Sequence, residues 1–424
     1  MNNQNRVFKK FLVVWIGQLI SSIGSGLTAF ALGVFVFQKT NSATSFSLII
    51  LSSFLPSFIL LPFTGVLADR FDRKKMMIIG DAGAVTGLLY ILLTMSFGDI
   101  RIWHTYIGVA LSSVFSAIQN PAYKAAVSDL VSEELYSQAS GLIQLAGSAQ
   151  YLISPVVAGI LMSIFDIKLI LKIDIATFII AVAAVFMITK QGSISRKNEG
   201  QNFINDMVDA FRYLNSRKGV LMLVLMVSLV CFYIALLQSL FGPMMLAITD
   251  SRTLGIALSI SASGMLLSSL VIGVRGIGKN KVFILSAFLT LAGMFYALMG
   301  MFTSVTVITI FGFLFFFTLP FVNTNLEVLI RSNVDNEKQG RVWAIVYSVS
   351  QVGYILAFGS AGFLADRLFN PLFYSNGPFA QILKGIIGTG QGRGIGLMFV
   401  ISGILVAVLG VTIGRVKKIK ALEI

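Results

Sequence analysis

The sequence predicts an all-α polytopic membrane protein of twelve transmembrane helices arranged as two six-helix halves. Three observations carry that expectation. Of the 424 residues, 56% are hydrophobic and only 12% charged, whereas soluble domains run about 45–50% apolar and about 25% charged. Uncharged apolar runs of about 20 residues, long enough to cross a bilayer, follow one another along the chain. With both termini on the cytoplasmic side of the cell membrane, only Lys39, Arg101, Lys168, Lys172, Arg252, Arg367, Lys384 and Arg393 of the 32 Lys and Arg fall outside. That bias is what the positive-inside rule requires.

The helices are expected at 11–38, 44–68, 76–97, 105–127, 137–165, 168–190, 218–246, 253–274, 281–301, 303–330, 341–368 and 395–414. The first run opens after Lys10 with no small-residue cleavage site, so it reads as a retained helix. Residues 1–190 then form one six-helix bundle and 218–424 the other. Residues 191–217 link them, and Phe203, Met207, Phe211 and Leu214 recur there at helical spacing, as in an amphipathic helix on the inner membrane surface. Residues 369–394 read as a long outer surface loop with a short apolar piece, Phe379 to Ile387. Between the halves, a shift of 203 superposes Asn120 on Asn323, Val131 on Val334, Glu134 on Glu337, Gly159 on Gly362 and Leu161 on Leu364. Parallel repeats of this kind build transporters whose halves are related about the membrane normal.

Several functions fall away. The net charge of +14 is sorted by membrane side rather than gathered in a nucleic-acid patch, so no nucleic-acid partner is expected. One Cys (Cys231) and one His (His104) leave no disulfide within the chain, no metal cluster and no histidine relay. An enzyme is not expected; serine–lysine chemistry through Lys124 and Ser128 is the remaining formal arrangement. No cofactor is expected, no ATP-binding P-loop occurs, and no ring of repeated charges suggests a channel.

The densest polar stretch is Gly65-Val66-Leu67-Ala68-Asp69-Arg70-Phe71-Asp72-Arg73-Lys74-Lys75. Six charges fall in the seven residues from Asp69 to Lys75, between two membrane-length runs. Gly65 permits close helix approach, and Asp69, four residues on, shares its face. A carboxylate leaving one helix can cap the N-terminus of another. The expected partner is the start of the eleventh helix, near Gly340 and Arg341, with Arg70 and Arg73 completing the latch on carboxylates or lipid headgroups. In the second half, Arg275-Gly276-Ile277-Gly278-Lys279-Asn280-Lys281 keeps the basic charge but has no acid.

The order Gly, Asp-Arg, Arg-Lys-Lys resembles the loop between the second and third helices of the major facilitator superfamily, with Asp72 where the family has its second glycine. Pro56 and the Asn41-Ser42-Ala43-Thr44 turn narrow the resemblance to the drug–proton antiporters that include macrolide-efflux permeases. The fifth helix, with Gly147, Ser154-Pro155 and Ala158-Gly159, is similar to the exporter signature in which a glycine–proline pair bends the helix; Ser154 replaces that glycine. Pro155 removes a backbone hydrogen bond. The resemblance implies the major facilitator fold and alternating access.

Polar residues at membrane depth mark a cavity or a partner. On the first helix Gln18, Ser22 and Ser25 form one stripe, and Gly17, Ser21, Gly24 and Thr28 a small-residue stripe beside it. Asn120 and Asn323, then Gln144, Gln150, Tyr233 and Gln238, then Asn325, Tyr347, Gln351 and Tyr354 complete a neutral, aromatic-rich candidate lining. Such a lining suits a bulky amphipathic guest. Three carboxylates lie in or near helices: Asp81, Asp174 beside Lys172, and Glu327. Glu327 is the first candidate to carry protons and Asp81 the second. A cytoplasmic gate pair of Glu327 with Arg331 or Lys124 is the alternative. The expected function is export of lipophilic, macrolide-like drugs in exchange for protons by a monomer bathed in membrane lipid. The rival is an exporter or flippase of an endogenous amphiphile, a siderophore or lysophospholipid.

Overall fold

Charge-free apolar stretches of this length satisfy their backbone groups in lipid only as helices, and helices make up the fold. The computed structural model describes residues 2–98, 100–132, 135–187, 211–374 and 377–423. The side chains of Gly65, Asp69, Arg70, Ser128 and Glu337 lie outside that description, as do Glu134 and the linker stretch through Phe203 and Met207. Twelve helices of 20 or more residues occur among the described residues. They are α1 (Asn2–Thr40), α2 (Ala43–Arg70), α3 (Arg73–Phe97), α4 (Ile102–Leu130), α5 (Tyr136–Ile164), α6 (Ile167–Phe186), α7 (Lys218–Leu246), α8 (Ser251–Arg275), α9 (Lys281–Met301), α10 (Val305–Ser332), α11 (Gln339–Leu364) and α12 (Arg393–Arg415). Eleven are long and apolar enough to cross a membrane; α4, interrupted by Gln119, Asn120 and Lys124, is the more polar exception.

The chain divides into two compact units. The first holds α1, α2 from Leu48 onward, α3 to α6 and the opening residues of α8, Ser251–Ile256; the second holds Ser42–Ser47, α7, the rest of α8 and α9 to α12.

In the first unit the core has two apolar parts. Phe11, Val14, Met76, Met77, Ala122 and Val185 belong to one; Leu27, Ala84, Leu88, Ile91, Ile170 and Leu171 belong to the other. On α1 and α3, Gln18 and Asp81 fall in the interval between those parts. The small-residue stripe of α1 lies on α6: a Cβ on Gly17 would meet Ala184 Cβ at 2.8 Å, and one on Gly24 would meet Asp174 Oδ1 at 2.8 Å. Such contacts let backbones close up where lipid supplies no hydrophobic drive. Asp72, the departure from the glycine pattern, is the N-cap of α3 and accepts from the Lys75 backbone N–H at 3.0 Å. Beside it, Arg73 Nη1 donates to the Ala125 carbonyl at 2.8 Å.

In the second unit α9 and α12 meet along a glycine seam. A Cβ on Gly293 would lie 2.7 Å from Ala407 Cα, one on Gly403 2.7 Å from Ala297 Cα, and one on Gly410 3.0 Å from Thr290 Cα. Arg393, 2% exposed, opens α12 and donates to the carbonyls of Gly300 and Phe302, where α9 ends with free acceptors. The α8–α9 connection needs glycine: Gly276 and Gly278 have φ of 71° and 76°.

Two expectations are corrected. The eleventh helix passes Leu364 through a wide turn, Ala365–Phe369, and continues to Tyr374. The outer loop is not irregular: Pro378–Ile387 is helical, and Ile387 packs with Phe373 and Leu397. Its apolar piece carries enough side chain on one face to fold against the bundle. The linker ends in a helical turn over 211–216, with Leu214 fully buried and Phe211 57% exposed. Tyr213 Oη accepts from the Asp335 backbone N–H at 3.2 Å.

Candidate functional site

The polar stripe of α1 is met by two acids. Gln18 Nε2 donates to Asp81 Oδ2 at 3.0 Å, and Gln119 Nε2 of α4 donates to Gln18 Oε1 at 2.7 Å. All three side chains are buried, Asp81 to 2% exposure. Two turns along, Ser25 Oγ faces Asp174 Oδ1 of α6 at 3.5 Å. Ser22 turns back on its own helix and donates to the Gln18 carbonyl at 2.7 Å. No lysine or arginine pairs with either acid among the described residues; Arg217–Asp335, Arg331–Glu327 and Lys338–Asp335 are ion pairs elsewhere. Chemically, the Asp81 group is a carboxyl–amide–amide chain reaching from α3 through α1 to α4. Gln119 donates to Gln18 and Gln18 to Asp81; amides do not ionise, so the aspartate is the member that can change charge.

Helix spacing explains why these groups meet. Gln18 and Ser25, seven residues apart, face one way on α1. Gly80, beside Asp81, brings α4 close: a Cβ there would lie 2.9 Å from Gln119 Cα. Gln119 escaped the sequence reading because its neighbour Asn120 matched the repeat register. Asn120 is exposed and donates to the Ser116 carbonyl of its own helix at 3.1 Å.

Glu327 and Arg331 form the expected i, i+4 pair at 3.0 Å, with both side chains more than half exposed; Lys124 is exposed. Gly340 and Arg341 are exposed at the start of α11. Of the candidate lining, Gln144, Gln238, Asn323 and Tyr347 are exposed and Gln150, Tyr233 and Tyr354 half-buried. Gln351 Nε2 donates to Tyr347 Oη at 2.8 Å. Asn325 is fully buried and donates to the Phe321 carbonyl at 2.8 Å.

The fifth helix runs unbroken through Pro155. Ser154 Oγ donates to the Ile23 carbonyl at 2.9 Å, so the residue that replaces a glycine ties α5 to α1. Gly159 admits the opening of α8: a Cβ would meet the Ser251 carbonyl at 2.6 Å, whereas Gly147 has open space.

One motif was missed outright. Gly362-Phe363-Leu364-Ala365-Asp366-Arg367 repeats the pattern of Gly65-Val66-Leu67-Ala68-Asp69-Arg70. Within the second unit, the Asp366 carboxylate accepts from the backbone N–H groups of Ala43 (3.2 Å) and Thr44 (2.9 Å). It also accepts from the hydroxyls of Ser42 (2.7 Å) and Thr44 (2.8 Å). A Cβ on Gly362 would press on Thr44 N at 2.6 Å. The glycine permits the approach and the aspartate caps the helix start, supplementing Ser42, whose Oγ accepts from Ser45 N–H.

A twelve-helix bundle with a polar face at membrane depth defines a multi-pass membrane transporter. The family model of the Major Facilitator Superfamily matches residues 14–247, and the chain belongs to that family. It is 28% identical over 378 residues to Macrolide efflux protein A of Streptococcus pyogenes, covering 87% of this chain and 92% of that one. It is 24% identical over 352 residues to the Staphyloferrin A transporter of Staphylococcus aureus (strain NCTC 8325 / PS 47), covering 80% and 83%. Among solved structures, the nucleoside transporter NupG superposes with a TM-score of 0.72 at 15% identity, over 96% of this chain and 100% of that one.

Proposed function

We infer that the chain exports lipophilic, amphipathic molecules of macrolide size in exchange for protons, by alternating access, from a cell membrane in which both termini face the cytoplasm. The observation that carries the coupling is the Asp81–Gln18–Gln119 chain, which holds a carboxylate at membrane depth with no cation on it among the described residues. Ionisable groups in such places are expensive and are kept where they work. Taking up a proton removes the charge, and losing it requires water or a cation to arrive, which ties titration to opening and closing. Glu327 is the weaker carrier, because its exposed pair with Arg331 suits a gate better than a buried proton store. The likeness to Macrolide efflux protein A supports the substrate class.

Asp69 serves in this reading as a helix-start acid that latches the cytoplasmic gate, the part that Asp366 plays at the start of α2, with Arg70 and Arg73 contributing charge. The shared Gly-x-Leu-Ala-Asp-Arg pattern supports this role.

A second reading, export of a siderophore, is favoured by the likeness to the Staphyloferrin A transporter. The deciding experiment is uptake of a labelled macrolide into inside-out vesicles with and without an imposed proton gradient. Gradient-dependent accumulation supports the first reading. Folded protein that accumulates a labelled siderophore but no macrolide supports the second.

A further inference from the structure

Asp174, the second buried acid, has no part in the coupling just described. It lies on α6, 1% exposed, in the wall of a cavity of about 210 Å³ inside the first unit. Hydroxyls ring this cavity: Ser25 and Thr28 from α1, Ser53 from α2, and Ser113 and Ser116 from α4. Lys172, two residues before Asp174, is exposed and forms no ion pair with it among the described residues. The acid's polar neighbours in this wall are therefore neutral oxygens, and the rest of the wall is apolar, with Leu32, Ile49, Leu88 and Phe178.

Those oxygens are spaced unusually. Asp174 Oδ1 is 3.5 Å from Ser25 Oγ, longer than the O–H···O mode of about 2.7–2.8 Å; Thr177 Oγ1, 3.3 Å away, donates instead to the Asp174 backbone carbonyl at 2.7 Å. Thr28 Oγ1 is buried and turned to the Asp174 carboxylate without closing a full hydrogen bond. An oxygen-bound cation of sodium's size sits about 2.4 Å from its ligands, which places neighbouring ligands about 3.4 Å apart. On its other side the acid is held by close packing: a Cβ on Gly24 of α1 would collide with Thr177 Oγ1 and Asp174 Oδ1.

We propose that Asp174, with the hydroxyls of Ser25 and Thr28, binds a monovalent cation in this cavity. One carboxylate among neutral oxygens balances a single positive charge; tight divalent sites need more acids. The cavity admits a partly hydrated sodium ion or the protonated amine head of a larger amphiphile whose body stays outside.

The test is thermal unfolding of the full-length protein in detergent, at mildly alkaline pH and constant ionic strength. Sodium chloride, methylammonium chloride and choline chloride are compared for the wild type, Asp174→Asn and Ser25→Ala. The expected result is a saturable rise in Tm with sodium or methylammonium over choline. That rise should be absent in Asp174→Asn and need about tenfold more cation in Ser25→Ala, the effect of one lost polar contact. A response to sodium identifies an inorganic ion, and a response to methylammonium alone identifies an amine head. If Asp174→Asn does not fold, Ser25→Ala decides by its shifted midpoint. Equal Tm in all three salts, or a shift that survives both substitutions, overturns the proposal. The assay needs no gradient or substrate, so its failure is separate from failure of proton-driven export.

Discussion

The two units bury different things. The first keeps Asp81 and Asp174 at 2% and 1% exposure, answered by amides and hydroxyls from α1 and α4. In the second, among the described residues, Asp250, Glu327, Asp335 and Glu423 are exposed and Asp366 is half-buried at a helix end. Its tightest interior contact is instead the glycine seam of α9 and α12. Both units have the closely packed helices that lipid demands, but among the described residues the acids buried within long helices are in the first. Chemistry and rigid packing are thus unevenly shared in a chain whose halves repeat each other in outline.

The largest expected effect lies in the seam. Gly403→Val adds side-chain atoms where even a Cβ would lie 2.7 Å from Ala297 Cα. Overpacking of this kind costs about 1–3 kcal/mol or more, so detergent-solubilised protein should melt well below wild type or be lost from the membrane. Gly147→Ala, at an open position, should melt unchanged; equal effects would show that the seam is loose. Next is Asp81→Asn, which keeps shape and an acceptor for Gln18 and so should leave the fold intact while gradient-driven export falls to background. Full export in this variant would move the coupling off the first unit.

A smaller change is expected from Asp366→Ala, which removes the carboxylate holding the start of α2. The loss should be about 1–2 kcal/mol, as for other helix caps, read as a lowered unfolding midpoint, with Asp366→Asn falling between. No change would mean that Ser42 suffices. The smallest effect belongs to Glu327→Gln, which breaks an exposed pair worth at most about 1 kcal/mol. Its melting and gradient-driven export should both stay near wild type. If export fails here and survives Asp81→Asn, the contrast between the units is reversed.

Much of this was legible beforehand. Helix number and order followed from apolar run length, because lipid leaves the backbone no other way to satisfy its hydrogen bonds. The α1 stripe was legible from a spacing of seven residues, and the small-residue stripe beside it from Gly17 and Gly24. The partners were not. Gln119 and Asn120 differ by one residue and about 100° of helix, and only packing at Gly80 chose between them. Asp174 stands near Lys172 in the letters, but helical positions two apart do not face each other, and α6 turned the acid inward. The Asp366 hexapeptide was visible in the letters, but it does not lie at the 203-residue shift that superposes the halves.

The sequence alone determined a twelve-helix membrane protein with its basic loops and polar first helix, because those features depend on local composition and period. Tertiary structure alone decided which polar groups meet: Gln18 with Asp81 and Gln119, Ser25 with Asp174, and Asp366 with the start of α2. Those contacts join residues far apart in the chain, and each depends on how closely two helices approach and on how each is turned about its axis.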